Sequence, residues 1–319
     1  MTEGRGDGVD PSDEYRHPVG DDPLWNESYY LDFVNDGDGE GDGTLAGYVR
    51  IGLYPNLGVT WWTAMVVGRD RPMVASVAYD RPVSPGELPS MAAPGPDVTV
   101  SVGDPLGTMR LRGTAPGAVH RDPAALYRTE PGDPTTVGWD LEWTTDGQPY
   151  HYQVTTRYEV PCLVAGEVTV GGERLVVRGS GQRDHSWGVR DWWAFGWCWA
   201  AVRLDDGTRV HVADIRMPGQ GVALGYIQPG DGTVSPVSSL EVTEELGSDG
   251  LPRRARAVVE PGGFDLAIEP LAFGPVLLTA TDGRTTRFPR AAARFTDRDG
   301  RSGVGWIEWN QPDRPDTGR

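Results

Sequence analysis

The chain contains no lysine, and all 29 of its basic residues are arginine. This absence excludes chemistry that needs a lysine amine, such as a Schiff base with a carbonyl substrate or a lysine-anchored cofactor. Cysteine is nearly absent as well, since the chain has only Cys162 and Cys198. Two isolated thiols make neither a disulfide framework nor a cysteine-based metal cluster. The sequence therefore predicts neither a disulfide-stapled fold nor a cysteine metal site.

Long apolar runs and an excess of basic charge are also missing. No apolar segment approaches the ~20 residues that a membrane-spanning helix needs, and the polar, acidic N-terminus has no signal-peptide core. Acidic residues outnumber basic ones by 46 to 29, which gives a formal net charge of -17. Such a charge disfavours nucleic acids and anionic membrane surfaces as partners. We expect a cytoplasmic protein with no nucleic-acid partner and no membrane span.

Helix signals are scarce, whereas strand signals recur along the whole chain. Short stretches rich in β-branched and aromatic residues, such as 48–55 and 60–67, are separated by Gly, Asn, Asp and Pro. Strands at intervals of ~8–12 residues with turn signals between them are typical of a sandwich or a barrel. We predict an all-β fold with little helix, a mild helical candidate being residues 123–128. The acidic run at 36–43 is interpreted as a hairpin tip, because Gly47 stands where a calcium loop needs Glu.

The length of the chain, 319 residues, predicts about two domains of roughly 150 residues each. A boundary is expected near residues 161–166, which contain Pro and Gly between two strand-rich halves. We predict an N-terminal antiparallel β-barrel or sandwich at 21–162 and a C-terminal one at 163–312. Residues 1–20 are predicted to be a disordered tail, and residues 313–319 a second tail.

Tryptophan is concentrated in the stretch from Gly179 to Trp199, which reads GSGQRDHSWGVRDWWAFGWCW. The same stretch carries ionisable residues, among them Arg183, Asp184 and His185. Aromatic walls with a few convergent ionisable groups are typical of a pocket for an apolar ligand. We predict that the stretch lines a site for a hydrophobic small molecule. Five of the twelve tryptophans lie here: Trp187, Trp192, Trp193, Trp197 and Trp199.

Two ionisable residues are candidates for acid–base chemistry. In an extended segment His185 and Trp187 point to one side and Asp184 to the other. An imidazole beside an indole, with its charge set by a nearby carboxylate, suits a general acid or base. The same spacing also fits a buried hydrogen-bond network that holds a corner of the barrel.

Asp214 is flanked by apolar Val212, Ala213 and Ile215 in the strand RVHVADIR. Burial in such surroundings disfavours the charged form of a carboxyl, which could then donate a proton. A surface or strand-end Asp is the other interpretation of this spacing.

Other chemistries find little support in the spacing. His185, His211 and Asp214 could supply two imidazoles and a carboxylate to a metal, but nothing in their positions requires it. Ser186 does not lie in a nucleophile elbow, and the Gly179–Gly181 segment lacks the third glycine of a dinucleotide fingerprint. We expect no metal and no cofactor.

The run GQRDHSWG, residues 181–188, followed by Arg190, resembles the signature of the AttH/carotenoid 1,2-hydratase (CrtC)-like superfamily. The segments WNESYYLDF at 25–33, GYVRIGLYPN at 47–56 and GVGWIEWN at 303–310 are similar to flanking pieces of its two-domain members. The resemblance implies two lipocalin-like β-barrels. It also implies an activity among those of carotenoid hydratases, terpenoid cyclases and Diels–Alderases that act on polyene natural products.

The resemblance assigns roles to individual residues. His185 and Trp187 match a His-x-Trp pair proposed for acid catalysis, and Asp214 matches the Asp of a later Tyr-x-Asp pair. Val212 stands where that Tyr would be, and Tyr226 is a candidate to supply a phenol instead. Asp184 is the carboxylate beside His185 in the predicted catalytic set. The remaining predicted substrate-binding residues are Trp193, Trp197, Trp199 and Arg190.

These assignments imply a cofactor-independent acid–base enzyme that acts on an isoprenoid or polyene intermediate. Asp214, tuned by His185, would protonate an alkene or an oxygen leaving group, and hydration or cyclisation would follow. Tryptophan rings would stabilise the cation by about 2 kcal/mol or more each in a dry site. Two alternatives remain open: a pericyclase that acts by positioning a polyene, and a non-catalytic protein that binds a lipophilic metabolite.

Overall fold

The computed structural model describes residues 8–35, 44–230 and 232–313. The predicted hairpin tip at 36–43 and the predicted tail after Asp313 lie outside the described residues. The chain divides into two compact units. The first comprises Met1–Val66, Val74–Val119 and Gly132–Arg190, and the second comprises Val67–Met73, His120–Pro131 and Asp191–Arg319.

The first sheet is antiparallel and contains the strands β1 to β11. Its strands follow the order β4-β3-β2-β1-β11-β10-β8-β7-β6-β5, with β9 beside β10. Because β4 also pairs with β7, eight of these strands form a closed circuit. The bounds are β1 (Trp25–Asn35), β2 (Leu45–Tyr54), β3 (Val59–Gly68), β4 (Arg71–Pro82), β5 (Ser90–Met91), β6 (Asp97–Val102), β7 (Thr108–His120), β8 (Asp133–Thr145), β9 (Tyr150–His151), β10 (Arg157–Val170) and β11 (Glu173–Val189).

Alternation along these strands supplies the first core. Successive side chains of a strand point to opposite faces, and the odd-numbered residues of β1 and the even-numbered residues of β10 enter one apolar cluster. The cluster is closed by large aromatic side chains of β3 and β8. Its members include Tyr29, Leu31, Phe33, Trp62, Trp139, Trp143, Tyr158, Val160 and Cys162.

The second sheet has its own core, formed by alternate residues of its strands. Its order is β15-β14-β13-β12-β22-β21-β18-β17-β16, and β20 pairs with both β19 and β22. Core members include Cys198, Val212, Ile307 and Trp309. The bounds are β12 (Gly196–Arg203), β13 (Arg209–Met217), β14 (Gln220–Gln228), β15 (Ser235–Pro236), β16 (Ser239–Leu246), β17 (Pro252–Glu260), β18 (Phe264–Phe273), β19 (Val276–Thr279), β20 (Thr285–Phe288), β21 (Arg290–Asp297) and β22 (Ser302–Pro312).

The prediction of an all-β protein with little helix is confirmed. Helices of the described residues are short 3-10 turns: η1 (Pro11–Glu14), η2 (Pro55–Leu57) and η3 (Pro123–Arg128). The mild helical candidate at 123–128 is the last of these. In the part of the chain that the structure describes, no helix has the length and apolar character needed to span a membrane.

Two expectations about chain organisation differ from the structure. The expected boundary at 162/163 lies inside β10, which pairs with β11 from Arg157 to Val170. Because β11 in turn pairs with β1, both strands belong to the first sheet, and the units divide after Arg190. The predicted tail at 1–20 does not hold for residues 8–20, which include η1 and the fully buried Glu14.

The close approach of β1 to β11 generates a stability prediction. Gly181 begins the GQRDHSWG run, and a Cβ there would overlap the backbone carbonyl oxygen of Asp32. We expect Gly181→Ala to lower the free energy of unfolding by about 1–3 kcal/mol, as overpacking does. Chemical denaturation followed by tryptophan fluorescence measures the change. Gly221→Ala is the control, because the nearest atom to its added Cβ is the Ile215 oxygen at 3.9 Å; equal stability of both variants would contradict this account of the strand contact.

Candidate functional site

Strand β11 carries the GQRDHSWG run and presents functional side chains on both of its faces. His185 lies between Tyr29 of β1 and Tyr158 of β10, so it faces the first core together with Arg183 and Trp187. Its neighbour Asp184 lies between Tyr30 and Glu159 and faces the opposite way. We call the groups on the core face the inner cluster (Glu14, His17, Glu27, Arg183, His185) and those on the other face the outer cluster (Asp32, Arg157, Glu159, Gln182, Asp184).

The inner cluster joins two imidazoles through one carboxylate. Glu27 Oε1 lies 2.7 Å from His17 Nδ1 and 3.1 Å from His185 Nε2, and it also accepts the backbone N–H of His17 at 2.9 Å. The Trp187 ring stacks on the His17 ring with centroids 3.6 Å apart. Burial would raise the pKa of Glu27, but hydrogen bonds from His17 and His185 outweigh it, and the net direction is downward. Glu27 is therefore held as a carboxylate, and the three side chains form a set of possible metal ligands.

A buried ion pair lies beside these residues. Arg183 Nη1 donates to Glu14 Oε1 at 2.5 Å, and the Tyr158 hydroxyl donates to the same oxygen at 2.7 Å. Arg183 is 2 % exposed and Glu14 is 0 % exposed. The N-terminal segment thus supplies the anion that a guanidinium inside the barrel requires, since an unpaired buried charge is strongly destabilising.

The outer cluster contains a second set of buried ion pairs. Arg157 donates to Glu159 Oε1 at 2.7 Å and to Asp184 Oδ2 at 2.8 Å. The Gln182 side-chain amide donates to Glu159 Oε2 at 3.0 Å. The Arg157 guanidinium also lies 5.6 Å from the centroid of the Tyr152 ring. One arginine therefore pairs with both carboxylates.

Asp32 is the carboxyl of the outer cluster with no arginine partner at hydrogen-bond distance. The Gln182 backbone N–H donates to its Oδ1 at 2.7 Å, whereas Oδ2 is buried and has no hydrogen-bond partner among the described residues. Burial raises the pKa of Asp32 well above its ordinary value of 3.8, and the charges of Glu159 and Asp184 raise it further. Hydrogen bonds from the Gln182 backbone N–H and the Tyr30 side chain act in the other direction. Burial therefore favours the protonated form of Asp32.

Aromatic side chains flank Asp32 on the outer face. Tyr48 is its cross-strand partner on β2, and the Tyr30 and Tyr48 rings lie 5.9 Å apart. Both rings are buried. Burial, followed by the charge of Arg157, lowers the pKa of Arg190 to about 10. The outer face thus combines aromatic surface with a carboxyl and an arginine of perturbed pKa, a combination found at functional sites.

The setting predicted for Asp214 is not observed. Asp214 lies on β13 of the second unit, its side chain is 21 % exposed, and its Oδ2 accepts from Arg216 Nε at 2.7 Å. Arg216 also binds Glu244 through two hydrogen bonds. The apolar neighbours along the strand suggested desolvation, but the Asp214 side chain is partly exposed and pairs with Arg216, which lies two residues further along the same strand. Asp214 therefore lacks the apolar, unpaired environment that the predicted acid role needs.

The other predicted residues are divided between the two units. His185, Asp184, Trp187 and Arg190 belong to the first unit, and the other predicted residues to the second. In the second unit Trp199 and Tyr226 lie near the buried His211, at ring distances of 5.3 and 5.4 Å. Trp193 and Trp197 donate their indole N–H groups to Leu278 O and Glu308 Oε1, respectively.

Sequence reasoning missed His17, Glu27, Asp32 and Glu14. A signal was available for Glu27 and Asp32, because each is an acidic residue in the strand WNESYYLDFV, which is rich in aromatic residues. A carboxyl buried in a strand is costly unless it has a partner. No comparable signal marks His17 or Glu14, which lie in a polar segment whose neighbours come from distant strands.

The buried ion pair gives a prediction about stability. Glu14→Gln leaves the Arg183 charge uncompensated, and we expect the free energy of unfolding to fall by about 3–5 kcal/mol. Urea denaturation measures it. Glu130→Gln is the control, because Glu130 pairs with Arg128 in an exposed ion pair and its loss should change little. A small effect at Glu14, equal to that of the control, would contradict the role given to the N-terminal segment.

The protonation of Asp32 gives a prediction that needs no substrate. The folded state keeps the proton while the unfolded state loses it above the ordinary pKa of 3.8, so the wild type loses stability as the pH rises from that value toward the folded pKa. Asp32→Asn removes this loss. We expect the stability of the variant relative to the wild type to increase by about 1.4 kcal/mol per pH unit over this window. A difference that does not vary with pH would show that Asp32 is ionised in the fold.

Solved structures of low sequence identity share this fold. A protein of Nitrosomonas europaea described as AttH has a TM-score of 0.65 at 16% identity, covering 95% of this chain and 97% of its own. Kievitone hydratase from Nectria haematococca has a TM-score of 0.60 at 11% identity, covering 91% and 90%. CghA, solved with Sch210972, has a TM-score of 0.55 at 12% identity, covering 93% and 90%. These structures confirm the two-domain lipocalin-like β fold that the sequence resemblance implied.

Sequence comparison adds a family to this fold. No curated protein gives a significant match. The profile of DUF7064, described as a domain of unknown function, matches residues 10–313. The chain therefore belongs to the DUF7064 family.

Proposed function

We propose that the protein is an enzyme that protonates a hydrophobic isoprenoid or polyene small molecule, with Asp32 as the acid. Transfer of the Asp32 proton to an alkene, or to an oxygen leaving group, generates a carbocation, and addition of water or ring closure follows. The observation that carries the proposal is the Oδ2 atom of Asp32, which is buried and makes no hydrogen bond to the described residues. A donor of this kind is able to give its proton to a bound molecule.

The surroundings of Asp32 favour its protonated form before a proton transfer and stabilise its carboxylate afterwards. Burial, together with the negative charges of Glu159 and Asp184, favours the protonated form of Asp32 before the reaction. After transfer, the Gln182 backbone N–H at 2.7 Å stabilises the new carboxylate. An acid whose pKa lies near the working pH is the most effective general acid, because it is protonated yet able to release its proton.

The other side chains of the outer face would stabilise the carbocation and limit its side reactions. The Tyr30 and Tyr48 rings lie beside Asp32 and attract positive charge through their π-faces, as aromatic rings do in dry sites. The ion pairs of Arg157 hold the carboxylates of Glu159 and Asp184 in place, so that these groups are less able to attack the cation. In this proposal Asp184 is a positioning residue, and His185 and Trp187, on the opposite face, do not touch the substrate.

The comparisons support this proposal in one respect. A protein of the same fold is named kievitone hydratase, and a hydratase adds water across a double bond. At such low sequence identity the fold alone is shared, so the assignment of hydration or cyclisation to this chain rests on Asp32 and its surroundings.

Deuterium incorporation tests the proposal directly. The wild type is incubated in D2O with geranylgeraniol and with lycopene, and the products are analysed by mass spectrometry. Proton donation to carbon places one non-exchangeable deuterium in the product. We expect Asp32→Asn to lower the rate roughly 100- to 10,000-fold, the usual contribution of a general acid. Asp214→Asn is the matched control and should retain the wild-type rate within a few-fold.

Three results would contradict the proposal. Lycopene has no oxygen leaving group, so a lycopene product without carbon-bound deuterium would favour a pericyclase, in which positioning alone accelerates the reaction. Tight binding of a probe without any turnover would favour a non-catalytic carrier. Loss of activity in Asp214→Asn, with full activity in Asp32→Asn, would return the acid role to the second unit.

A further inference from the structure

Three Lewis-basic atoms of the inner cluster converge on one point of the first unit. They are His17 Nδ1, His185 Nε2 and a Glu27 carboxylate oxygen, and all lie within 4.8 Å of one another. Glu27 is 2 % exposed, His185 is 1 % exposed and His17 is 13 % exposed at the side chain. Two imidazoles and one carboxylate form a donor set that first-row divalent metals bind.

The second nitrogen of each imidazole already has an acceptor. His185 Nδ1 lies 2.7 Å from the backbone oxygen of Asp13. A carbonyl only accepts, so Nδ1 carries a proton and donates it. His17 Nε2 lies 3.2 Å from Asp13 Oδ1, a carboxylate oxygen that can accept a proton from it. A metal-ligating histidine shows this arrangement, because the outer hydrogen bond fixes the tautomer and turns the other nitrogen toward the metal.

In the metal-free protein, protons on His17 Nδ1 and His185 Nε2 make the hydrogen bonds to Glu27. When only the outer nitrogens hold protons, the lone pairs of these two atoms face the Glu27 oxygen. Neutral imidazoles would then oppose a carboxylate with no hydrogen between them, which is unfavourable in a buried site. Either extra protons or a cation must lie among these atoms. A single divalent ion satisfies all three donors at once.

We infer that His17, Glu27 and His185 bind one divalent transition-metal ion, of which Zn²⁺ is the reference case. Zinc bonds to nitrogen and oxygen of about 2.0–2.1 Å place neighbouring ligands about 3.3 Å apart in a tetrahedron. The present separations of 2.7 and 3.1 Å from Glu27 Oε1 have to open by a few tenths of an ångström. His17 lies outside any helix or strand. Its backbone is therefore not held by the strand pairing that fixes the backbone of His185.

This site is independent of the proposed acid. Glu27 and His185 face the core side of β1 and β11, whereas Asp32 faces the other side of β1. Three protein ligands leave one tetrahedral position for water or another ligand, as in open zinc sites. Metal binding is measured without substrate, so a failure of this inference and a failure of the proposed function are distinguishable.

The test uses the full-length protein without a histidine tag, stripped with a chelator. Zn²⁺ is titrated by calorimetry, and Co²⁺ is titrated in parallel because its visible spectrum reports nitrogen and oxygen ligation. We expect one ion per chain and a higher melting temperature of the loaded protein, since a ligand that binds only the folded state stabilises it. His17→Gln should weaken binding on the order of 100-fold or more, and Asp13→Asn by roughly 10- to 100-fold, the usual effect of an outer hydrogen-bond partner.

Control variants keep the test decisive. His151→Gln changes a histidine of the short strand β9 and should bind zinc as the wild type does. Circular dichroism shows whether His17→Gln is folded, and Asp13→Asn supplies a second reading if it is not. Absence of stoichiometric binding to the wild type, or wild-type affinity in both His17→Gln and Asp13→Asn, would overturn the inference; protons on the two imidazoles would then account for the cluster.

Discussion

Burial of charge on both faces of one strand is the constraint on which the first unit depends. Strand β11 places Arg183 on the core face and Asp184 on the other face, and both are almost fully buried. A buried charge without a partner is strongly destabilising, so each one dictates the position of another segment. Arg183 requires Glu14, which brings the N-terminal segment onto the core. Asp184 requires Arg157 of the neighbouring strand.

The two faces solve the problem of buried charge in different ways. On the outer face, three carboxyls lie near one another, and Arg157 pairs with two of them. The third, Asp32, keeps its proton because a further negative charge there would be too costly. On the inner face, the carboxylate is matched by two imidazoles. The pairing of β1 with β11 therefore places both the proposed proton donor, Asp32, and the candidate metal ligands Glu27 and His185.

Much of the fold could be predicted from the sequence, because alternation and turn signals are local. The placement of His185 with Trp187, and of Asp184 on the other face, follows from the two-residue repeat of a strand. The domain boundary could not be read in this way, since Pro161 and Gly166 lie within β10 and only the pairing with β11 shows that the sheet continues. Alternation says nothing about which distant strand lies beside a residue.

The candidate site was harder to predict for the same reason. Asp214 has apolar residues directly beside it in sequence, yet it pairs with Arg216 of its own strand, which also pairs with Glu244 of β16. Asp32 has aromatic neighbours in sequence, and burial raises its pKa, with a further contribution from Glu159 and Asp184, more than a hundred residues later. His17 belongs to a polar segment that is ordered by contacts with β1 and β11. Long-range contacts, rather than local pattern, decide which carboxyl is protonated.

The protonated carboxyl of Asp32 is the central claim, and infrared spectroscopy observes it directly. The measurement compares wild type and Asp32→Asn, with the aspartates labelled by ¹³C at the side-chain carboxyl, at neutral pH. The account predicts a C=O stretching band of a protonated carboxyl that is present in the wild type, shifts with the label and is absent from the variant. A wild-type spectrum that contains only carboxylate bands would contradict it.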